Sequence, residues 1–364
     1  MEFVLIARHY PPEASGGARR PYLTARGLRE AGHTVRVVTP FAAQHPDDIE
    51  VPGPPPAGRP GFHANSLKTW LVRWRYWPDP EIAWARAVSE RLRTLAAPDW
   101  LITTSPPEST HSAGAALKAH WQDTRWMAEF RDTWTVAPHR REAATWPRRP
   151  LERRLARRIL RHADLVSAVS PFVLDEVKHY APRAVHHIEG HFADPPPSAF
   201  AFPPDTFDLV HSGSFALSDH RRHLGPVLAR LDPIAQARPQ LRLHIAGWLD
   251  EAETALAAAR PWVVPHGLVD LATSRAMQAG ADALLLATPP DSHALPGKFA
   301  EYAQATSPIV AVGDGDWRNL LPGDLGLLPL EALTRLEAGT SRPPLASLSH
   351  TAATGRLLAI LSQF

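Results

Sequence analysis

The 364-residue sequence contains no cysteine. It therefore has no disulfide, no thiolate metal ligand and no cysteine nucleophile, a composition typical of a reducing compartment. Long apolar runs are also missing, since none approaches the roughly 18 residues of a membrane-spanning helix. Met1 leads into Glu2 and a short apolar run, which is unlike a secretory signal. We therefore expect a soluble, cytoplasmic protein.

Charge is nearly balanced in number but not in position. The 39 basic residues, most of them Arg, and the 37 acidic residues give a net charge of +2. Within 140–161, arginines recur at helical spacing opposite apolar side chains: Arg148, Arg149, Arg153, Arg154, Arg157, Arg158 and Arg161 against Leu151, Leu155, Ile159 and Leu160. This pattern fits a solvated helix face, an anionic lipid surface or an anionic substrate. No recognised nucleic-acid-binding module accompanies it, so no nucleic-acid partner is expected.

Short apolar runs rich in β-branched residues alternate with amphipathic segments along the chain. The runs begin at residues 3, 35, 100, 165, 207, 241, 283 and 308. Such alternation predicts doubly wound parallel sheets of the α/β class. Residues 43–60 are rich in proline and polar side chains, and we expect a surface excursion there.

The chain is longer than one hydrophobic core usually organises, so two domains are expected. The proline-rich residues 193–204 interrupt the alternation and predict a hinge. We therefore predict an N-terminal domain at 1–192 and a C-terminal domain at 205–342, with a helix at about 343–364 that packs back on the first. A ligand cleft is expected between the domains, at the carboxyl ends of the strands.

Residues 294–313 carry the most informative local pattern, ALPGKFAEYAQATSPIVAVG. A Gly-Lys pair opens a predicted short helix, and a buried strand follows. Backbone N–H groups and an ammonium at a helix start favour an anion, so the pattern predicts a phosphate site. The paired Gly16 and Gly17 either let the backbone approach a ligand or only shape a turn. They form neither a G-x-G-x-x-G fingerprint nor a Walker loop, so nicotinamide and ATP are not indicated.

A series of short motifs follows one order along nearly the whole chain. They read PPEASGG at 11–17, GHTVRVVT at 32–39, PDP at 78–80, TTSPPESTH at 103–111, EFRDTW at 129–134, ADLVSAVS at 163–170, HSGSF at 211–215 and LPGKFAEY at 295–302. In this order they resemble the family 4 glycosyltransferases of GT-B architecture. The resemblance implies two Rossmann-like domains facing a cleft. It also implies a retaining, metal-independent glycosyltransferase that uses a nucleoside-diphosphate sugar and acts in polysaccharide or glycoconjugate biosynthesis.

The resemblance implies a donor site with defined parts. The diphosphate would face two glycine turns and three cations: Gly16, Gly17, Gly213 and Ser214, with Arg221, Arg222 and Lys298. Positive charge is needed there because the leaving diphosphate gains charge. Glu301 matches the glutamate that takes the ribose hydroxyls. The remaining donor residues are Gly247, His266 and Gly267 near the base, and Leu295, Pro296 and Gly297 of the LPGK motif.

The candidate catalytic residues include one departure from the family. His293 stands where the family has the first glutamate of its pair, beside the donor sugar. Arg131 and Asp132 either form a structural salt bridge or orient a hydroxyl group. His111 either caps a helix or contacts the acceptor. A second departure, at 189–194, loses the leading Asn of a turn and is expected to be structural.

Other patterns leave alternatives open. No clustered ligand spacing occurs, so neither a metal nor another cofactor is expected. An aromatic and basic stripe indicates either core packing or contact with an amphipathic acceptor: Trp70, Trp74, Trp77 and Trp84 with Arg73 and Arg75. The acceptor would be a glycan, a lipid-linked molecule or a small molecule, and peripheral contact with the inner membrane face stays open. The alternative functions are a sugar-nucleotide epimerase and a catalytically silent nucleotide-sugar-binding protein.

Overall fold

The computed structural model describes residues 1–13, 16–53, 77–135, 148–181, 183–186, 198–215, 222–289, 296–313, 315, 317–318 and 326–364. The chain forms two compact units. The first unit comprises Met1–Glu189 with Ala353–Phe364, and the second comprises Gly190–Ala352. The predicted hinge at 193–204 lies partly outside the described residues.

The first unit contains a parallel sheet with strand order β3-β2-β1-β4-β5-β6-β7 among the described residues. Its elements are β1 (Glu2–Ile6), α1 (Gly16–Glu30), β2 (Thr34–Thr39), β3 (Ile49–Glu50), α2 (Ile82–Leu92), β4 (Trp100–Ser105), α3 (Ser109–His120), β5 (Arg125–Phe130), α4 (Arg148–Leu160), β6 (Leu165–Ala168), α5 (Pro171–Val177) and β7 (Ala184–His186). The order is that of a Rossmann-like sheet.

The second unit repeats this topology, with strand order β10-β9-β8-β11-β12-β13 in its described part. Its elements are β8 (Phe207–Ser212), α6 (Leu224–Ala237), β9 (Leu241–Ala246), α7 (Glu251–Ala258), β10 (Val263–Gly267), α8 (Leu271–Gly280), β11 (Ala283–Ala287), α9 (Gly297–Tyr302), β12 (Ile309–Val312) and β13 (Leu327–Leu328), followed by 3-10 helices at Leu330–Thr334 and Ala346–Leu348. The prediction of two parallel α/β units is confirmed.

Both faces of the first sheet are buried, as a parallel sheet requires. Val4 and Ile6 lie in one hydrophobic cluster, whereas Phe3 and Leu5 lie in the other. The last helix, α10 (His350–Leu361), adds Leu357 and Leu361 to the second cluster. Gly27 of α1 permits this packing, because a Cβ there would lie 2.0 Å from Thr354 Oγ1.

Helix starts follow local side-chain chemistry. Asp250 and Glu253 form a capping box at α7, and Asp270 accepts a hydrogen bond from the Thr273 N–H at α8. Ser170 caps α5 in the same way. These caps satisfy backbone donors that the first helical turn leaves unpaired.

The structure differs from the sequence prediction mainly at its smallest elements. β3 lies within 43–60, where only a surface excursion was expected, and β7, β10 and β13 were not predicted. The longer β5 also begins at none of the eight predicted runs. Strands of two or three residues, and one with Pro and Gly inside, show no measurable period. Trp84 is 1% exposed and donates to the Val51 carbonyl, so it packs in the core rather than in an exposed stripe. No helix among the described residues is both long and apolar enough to cross a bilayer, and the predicted cleft stays a prediction.

Candidate functional site

Both sheets reverse their strand order beside their first strand. In the first unit β1 lies between β2 and β4, and in the second β8 lies between β9 and β11. At such a point the connections run to opposite sides, and the loops at the carboxyl ends leave a crevice that binds ligands in doubly wound folds. The described residues of the predicted site lie at or beyond the carboxyl ends of strands.

Arg131 directly follows β5, and its guanidinium binds backbone. Nε donates to the Ser105 carbonyl at 2.9 Å, Nη2 to the Pro106 carbonyl at 2.8 Å and Nη1 to the Gly17 carbonyl at 2.6 Å. One side chain thus joins the end of β4 to the start of α1. Burial lowers the pKa of Arg131, and nearby carboxylates partly oppose this effect.

Asp132 is exposed, and the salt bridge considered between it and its neighbour in sequence is not present in this described segment. Two ion pairs that the sequence did not reveal occur instead, one partly buried and one buried. Arg8 pairs with Glu81 at 2.7 Å, and Arg20 of α1 pairs with Glu129 of β5 at 2.8 Å. The first unit therefore neutralises these charges internally.

Gly17 lies in the first turn of α1, close to two side chains. A Cβ there would lie 3.2 Å from Arg131 Nη1 and 3.4 Å from His9 Cβ. His9 in turn contacts Glu13 through Nδ1 at 2.9 Å. A side chain at position 17 would therefore crowd the Arg131 guanidinium, and contact of Gly16 or Gly17 with a diphosphate stays a prediction.

His111 is buried in α3 and is held by strand residues. Its Nδ1 lies 2.8 Å from Thr103 Oγ1, which also accepts from Trp126 Nε1 at 2.9 Å. The Thr103 hydroxyl hydrogen and the Nδ1 lone pair are both satisfied when Thr103 donates to His111, and on this basis we assign the ring proton to Nε2. That Nε2 is buried without a hydrogen-bond partner in the described part of the chain. Burial, with a contribution from Arg131, lowers the pKa of His111 to about 3.

Asp79, rather than His111, caps α3. It accepts from the Ser109 N–H and hydroxyl, both at 2.8 Å, and from the Glu81 N–H at 2.9 Å. Burial, with the Glu108 carboxylate nearby, raises the pKa of Asp79 to about 6. The PDP motif marks this residue in the sequence, but its partner Ser109 lies 30 residues away.

In the second unit two glycines bring the ends of β8 and β9 together. Gly213 has a φ of +117°, and a Cβ on Gly247 would lie 2.1 Å from the Gly213 carbonyl oxygen. A Cβ on Gly213 would lie 3.1 Å from Lys298 Cε, so the lysine stem passes over this turn. The half-buried backbone of Gly213 and Ser214 thus lies near an ammonium, an arrangement suited to a phosphate.

Lys298 and Glu301 lie one helical turn apart on α9. Lys298 Nζ is 2.9 Å from Glu301 Oε2, and the lysine side chain is 34% exposed against 12% for the glutamate. Gln278 Nε2 lies 3.4 Å from the same carboxylate oxygen and donates to Ser212 Oγ at 2.8 Å. The Ser212 N–H donates to the Tyr302 hydroxyl at 2.9 Å. The carboxylate predicted to hold the ribose is therefore connected to the end of β8.

Arg222, a predicted phosphate ligand, contacts backbone in this structure. Its Nε donates to the Phe215 carbonyl at 3.0 Å, and its Nη2 donates to the Ser214 carbonyl. It therefore stabilises the backbone at Ser214 and Phe215. Other predicted positions lie outside the described residues: Arg221, His293, Leu295, the turn at 189–194, Trp70, Arg73, Trp74 and Arg75.

His211 in β8 is a second buried imidazole. Its Nδ1 lies 2.9 Å from the Leu285 carbonyl, and because a carbonyl only accepts, this nitrogen carries the proton. Nε2 then has a lone pair without a partner among the described residues. The ring stacks on Phe215 with centroids 4.1 Å apart, and burial lowers the pKa of His211 to about 3.

His266 and Gly267, predicted near the base, lie at the end of β10. His266 Nε2 is 2.9 Å from His244 Nδ1, and His244 Nε2 is 2.8 Å from Asp208 Oδ1. Gly267 has a φ of +68° with nothing within 4 Å of a Cβ, so its backbone angle requires glycine. Here His266 ends a hydrogen-bonded chain, and its contact with a base stays a prediction.

The last predicted donor residues are Pro296 and Gly297, and one exposed aromatic side chain, Trp248, was not predicted. Pro296 precedes α9 and Gly297, its exposed first residue, has nothing within 4 Å of a Cβ. Trp248 follows Gly247 at the end of β9 and is 41% exposed. Its position directly after a predicted donor glycine was the available signal. Among the described residues no group of three or more His, Asp or Glu side chains is placed to hold a metal ion.

Comparison with known families decides the class of the first unit. Residues 14–190 match the model of Glycosyltransferase Family 4. The first unit carries a Glycosyltransferase Family 4 domain. The match ends where the second unit begins. The family resemblance predicted from the motifs is confirmed, and the chain is a glycosyltransferase.

Solved structures share the fold of both units. Sucrose-phosphate synthase from Thermosynechococcus elongatus is 16% identical, with 99% of this chain and 90% of that one covered and a TM-score of 0.62. A UDP-forming α,α-trehalose-phosphate synthase from Burkholderia xenovorans, in complex with glucose-6-phosphate, is 10% identical over 99% and 100% of the chains, with a TM-score of 0.61. A putative UDP-N-acetylglucosamine 2-epimerase from Listeria monocytogenes is 13% identical over 100% and 96%, with a TM-score of 0.55.

At these identities the structural likeness shows the fold alone, and that fold is GT-B. A search of curated proteins finds no significant match. The family 4 domain identifies the reaction class, whereas the fold determines neither the donor nor the acceptor nor the stereochemistry.

Proposed function

We propose that this glycosyltransferase moves a sugar from a nucleoside-diphosphate sugar to an acceptor hydroxyl, with retention of configuration and without a metal ion. The observation that carries the proposal is the turn at Gly213, packed against Gly247 and covered by the Lys298 stem. Glu301, 2.9 Å from Lys298, supplies a carboxylate for the ribose hydroxyls. A diphosphate at the turn and a pentose at the carboxylate fit this order of groups.

The chemistry follows from charge. When the bond between the anomeric carbon and the diphosphate breaks, the leaving group gains negative charge, which the Lys298 ammonium stabilises. The acceptor oxygen forms the new bond on the same face, and its proton passes to a phosphate oxygen. The proton assigned to His111 Nε2 and its pKa of about 3 support a mechanism in which this histidine is not the base.

Trp248 adds a candidate surface for the base. Its indole is 41% exposed and follows Gly247 at the carboxyl end of β9. An exposed aromatic ring can stack on any base, so this contact would add affinity with little selectivity. We assign the acceptor, whether glycan, lipid-linked or small molecule, to the first unit. The proposed location is the cytoplasm, with peripheral contact at the inner membrane face.

Calorimetric titration with UDP, GDP, ADP, CMP and dTDP sugars tests the proposal. One of them should bind, and Glu301→Ala should weaken it by about 1.5 to 3 kcal/mol, whereas the exposed Glu337→Ala in the same unit should not. NMR of the product should show the anomeric configuration of the donor. Absence of binding by every sugar nucleotide would overturn the proposal.

Two outcomes of the same experiment would indicate the alternatives. Conversion of the sugar nucleotide without any acceptor would indicate an epimerase. Binding without turnover across a broad acceptor panel would indicate a silent binding protein, the alternative raised by His293.

A further inference from the structure

One face of α4 is strongly basic. Arg153, Arg154, Arg157, Arg158 and Arg161, here named the basic face, are all exposed. The other side of the helix is buried and anchors it, with Ala156, Ile159 and Leu160 in a hydrophobic cluster of the first unit. The guanidinium groups therefore face solvent, while the opposite side of the helix packs in the hydrophobic core.

The positive charge of the basic face is not neutralised by the described residues. Arg157 donates to the His179 carbonyl at 3.3 Å and Arg161 to His162 Nε2 at 2.9 Å, and neither acceptor is a carboxylate. None of the five arginines forms an ion pair with a carboxylate in the described part of the protein. The nearby acids are otherwise placed: Glu152 is buried, Glu176 is buried against Thr135 and Tyr180, and Asp175 lies 3.9 Å from Lys178.

The spacing of the basic face is unfavourable in the isolated protein. Arg153 and Arg157, Arg154 and Arg158, and Arg157 and Arg161 are spaced i,i+4, where like charges repel. The protein as a whole has a net charge of only +2, so the basic face is a local excess rather than a general property. An extended anionic surface would convert the repulsion into attraction for all five arginines together.

The residues at the start of α4 favour a lipid surface over a nucleic acid. Pro150 is exposed, and Leu151 is 46% exposed beside the basic face. An apolar side chain next to arginines can enter the acyl boundary while the guanidinium groups stay among headgroups. No aromatic residue occurs within α4 to stack on bases.

We propose that the basic face, with Leu151, docks the protein on anionic lipid headgroups. The inference rests on the proposed function only in placing the enzyme at the inner membrane face. The positive charge that lipid docking needs lies on the basic face and is independent of the donor site.

Co-sedimentation of the full chain with vesicles tests the proposal. Vesicles of phosphatidylcholine with phosphatidylglycerol should bind the protein, phosphatidylcholine alone should not, and added salt should weaken binding. Arg154→Gln with Arg158→Gln should lower vesicle affinity about tenfold or more. The charge-matched control Arg230→Gln with Arg335→Gln, on exposed arginines of the second unit, should have no such effect.

Several results would overturn the proposal: no binding to anionic vesicles, equal binding to neutral ones, or an equal loss in both double variants. RNA binding that depends on Arg154 and Arg158, without vesicle binding, would assign the face to nucleic acid instead. Calorimetry of donor binding separates this test from the proposed function, since the Arg154 and Arg158 variant should retain it.

Discussion

The two units share one topology but use their charged residues differently. In the first unit Arg131 binds three backbone carbonyls, and Arg20 pairs with the buried Glu129. In the second unit Lys298 also pairs with a carboxylate, Glu301 at 2.9 Å, but it stays 34% exposed beside a glycine turn. Topology therefore locates a crevice in each unit, whereas the side-chain partners decide which crevice can take an anion.

The buried histidines show the same contrast in proton placement. His111 Nδ1 faces the Thr103 hydroxyl, so its remaining nitrogen is assigned as a donor. His211 Nδ1 faces the Leu285 carbonyl, so its remaining nitrogen is an acceptor. Both rings are neutral at physiological pH for the same reason, burial, which lowers each pKa to about 3.

Lowering the pH should give the largest loss of stability, and it should act on both units. An unfolded histidine gains a proton near its ordinary pKa of 6.5, whereas folded His111 and His211 do so only near about 3. Stability should therefore be lost as pH falls from about 6.5 towards 3, by at most about 5 kcal/mol for each ring. Urea unfolding at a series of pH values measures it. His111→Gln and His211→Gln should each reduce the slope of the free energy of unfolding against pH. Unchanged slopes would contradict the argument that burial lowers the two pKa values.

Arg131→Met should give the next largest loss of stability, and this loss should be specific to the first unit. Three carbonyls lose a charged donor, and we expect about 4 kcal/mol less stability. Chemical denaturation measures the change. Asp132→Asn, on the exposed neighbour, should stay within about 0.5 kcal/mol. A mild effect of Arg131→Met would mean that this charge is available to a ligand after all.

Gly247→Ala probes the second unit by crowding its turn. The new Cβ would lie 2.1 Å from the Gly213 carbonyl oxygen, so we expect a loss of about 2 to 3 kcal/mol. Gly297→Ala is the matched control, because nothing lies within 4 Å of a Cβ there. Thermal unfolding distinguishes the two variants. Equal melting temperatures would show that the two turns do not touch as described.

Thr103→Val should have the smallest effect on stability, about 1 to 2 kcal/mol, but should change the state of His111. Without the hydroxyl, Nδ1 loses its donor, and the fixed tautomer should give way to a mixture. Imidazole 15N NMR reads this directly, and Thr103→Ser should restore the original signal. A single unchanged tautomer in Thr103→Val would reject the assigned role of Thr103, while His211 serves as the internal reference.

Local patterns predicted the parallel sheets, the Gly-Lys helix start and the glycine turns, because each depends on neighbours in sequence. Side-chain partners far apart in sequence were not predictable in this way. Arg20 and Glu129 are 109 residues apart, and Asp79 caps a helix 30 residues later. The salt bridge considered between Arg131 and Asp132 does not form. Adjacent side chains after a strand point in different directions, and carbonyls of other loops accept the hydrogen bonds of Arg131 instead.

The most direct test of the central claim is calorimetry of a nucleoside diphosphate and of its nucleoside, with wild type, Lys298→Ala and Glu301→Ala. If the second unit holds the diphosphate at Lys298 and the ribose at Glu301, Lys298→Ala should weaken only the diphosphate, by about tenfold or more, and Glu301→Ala should weaken both ligands. Unchanged diphosphate affinity in Lys298→Ala would contradict the account.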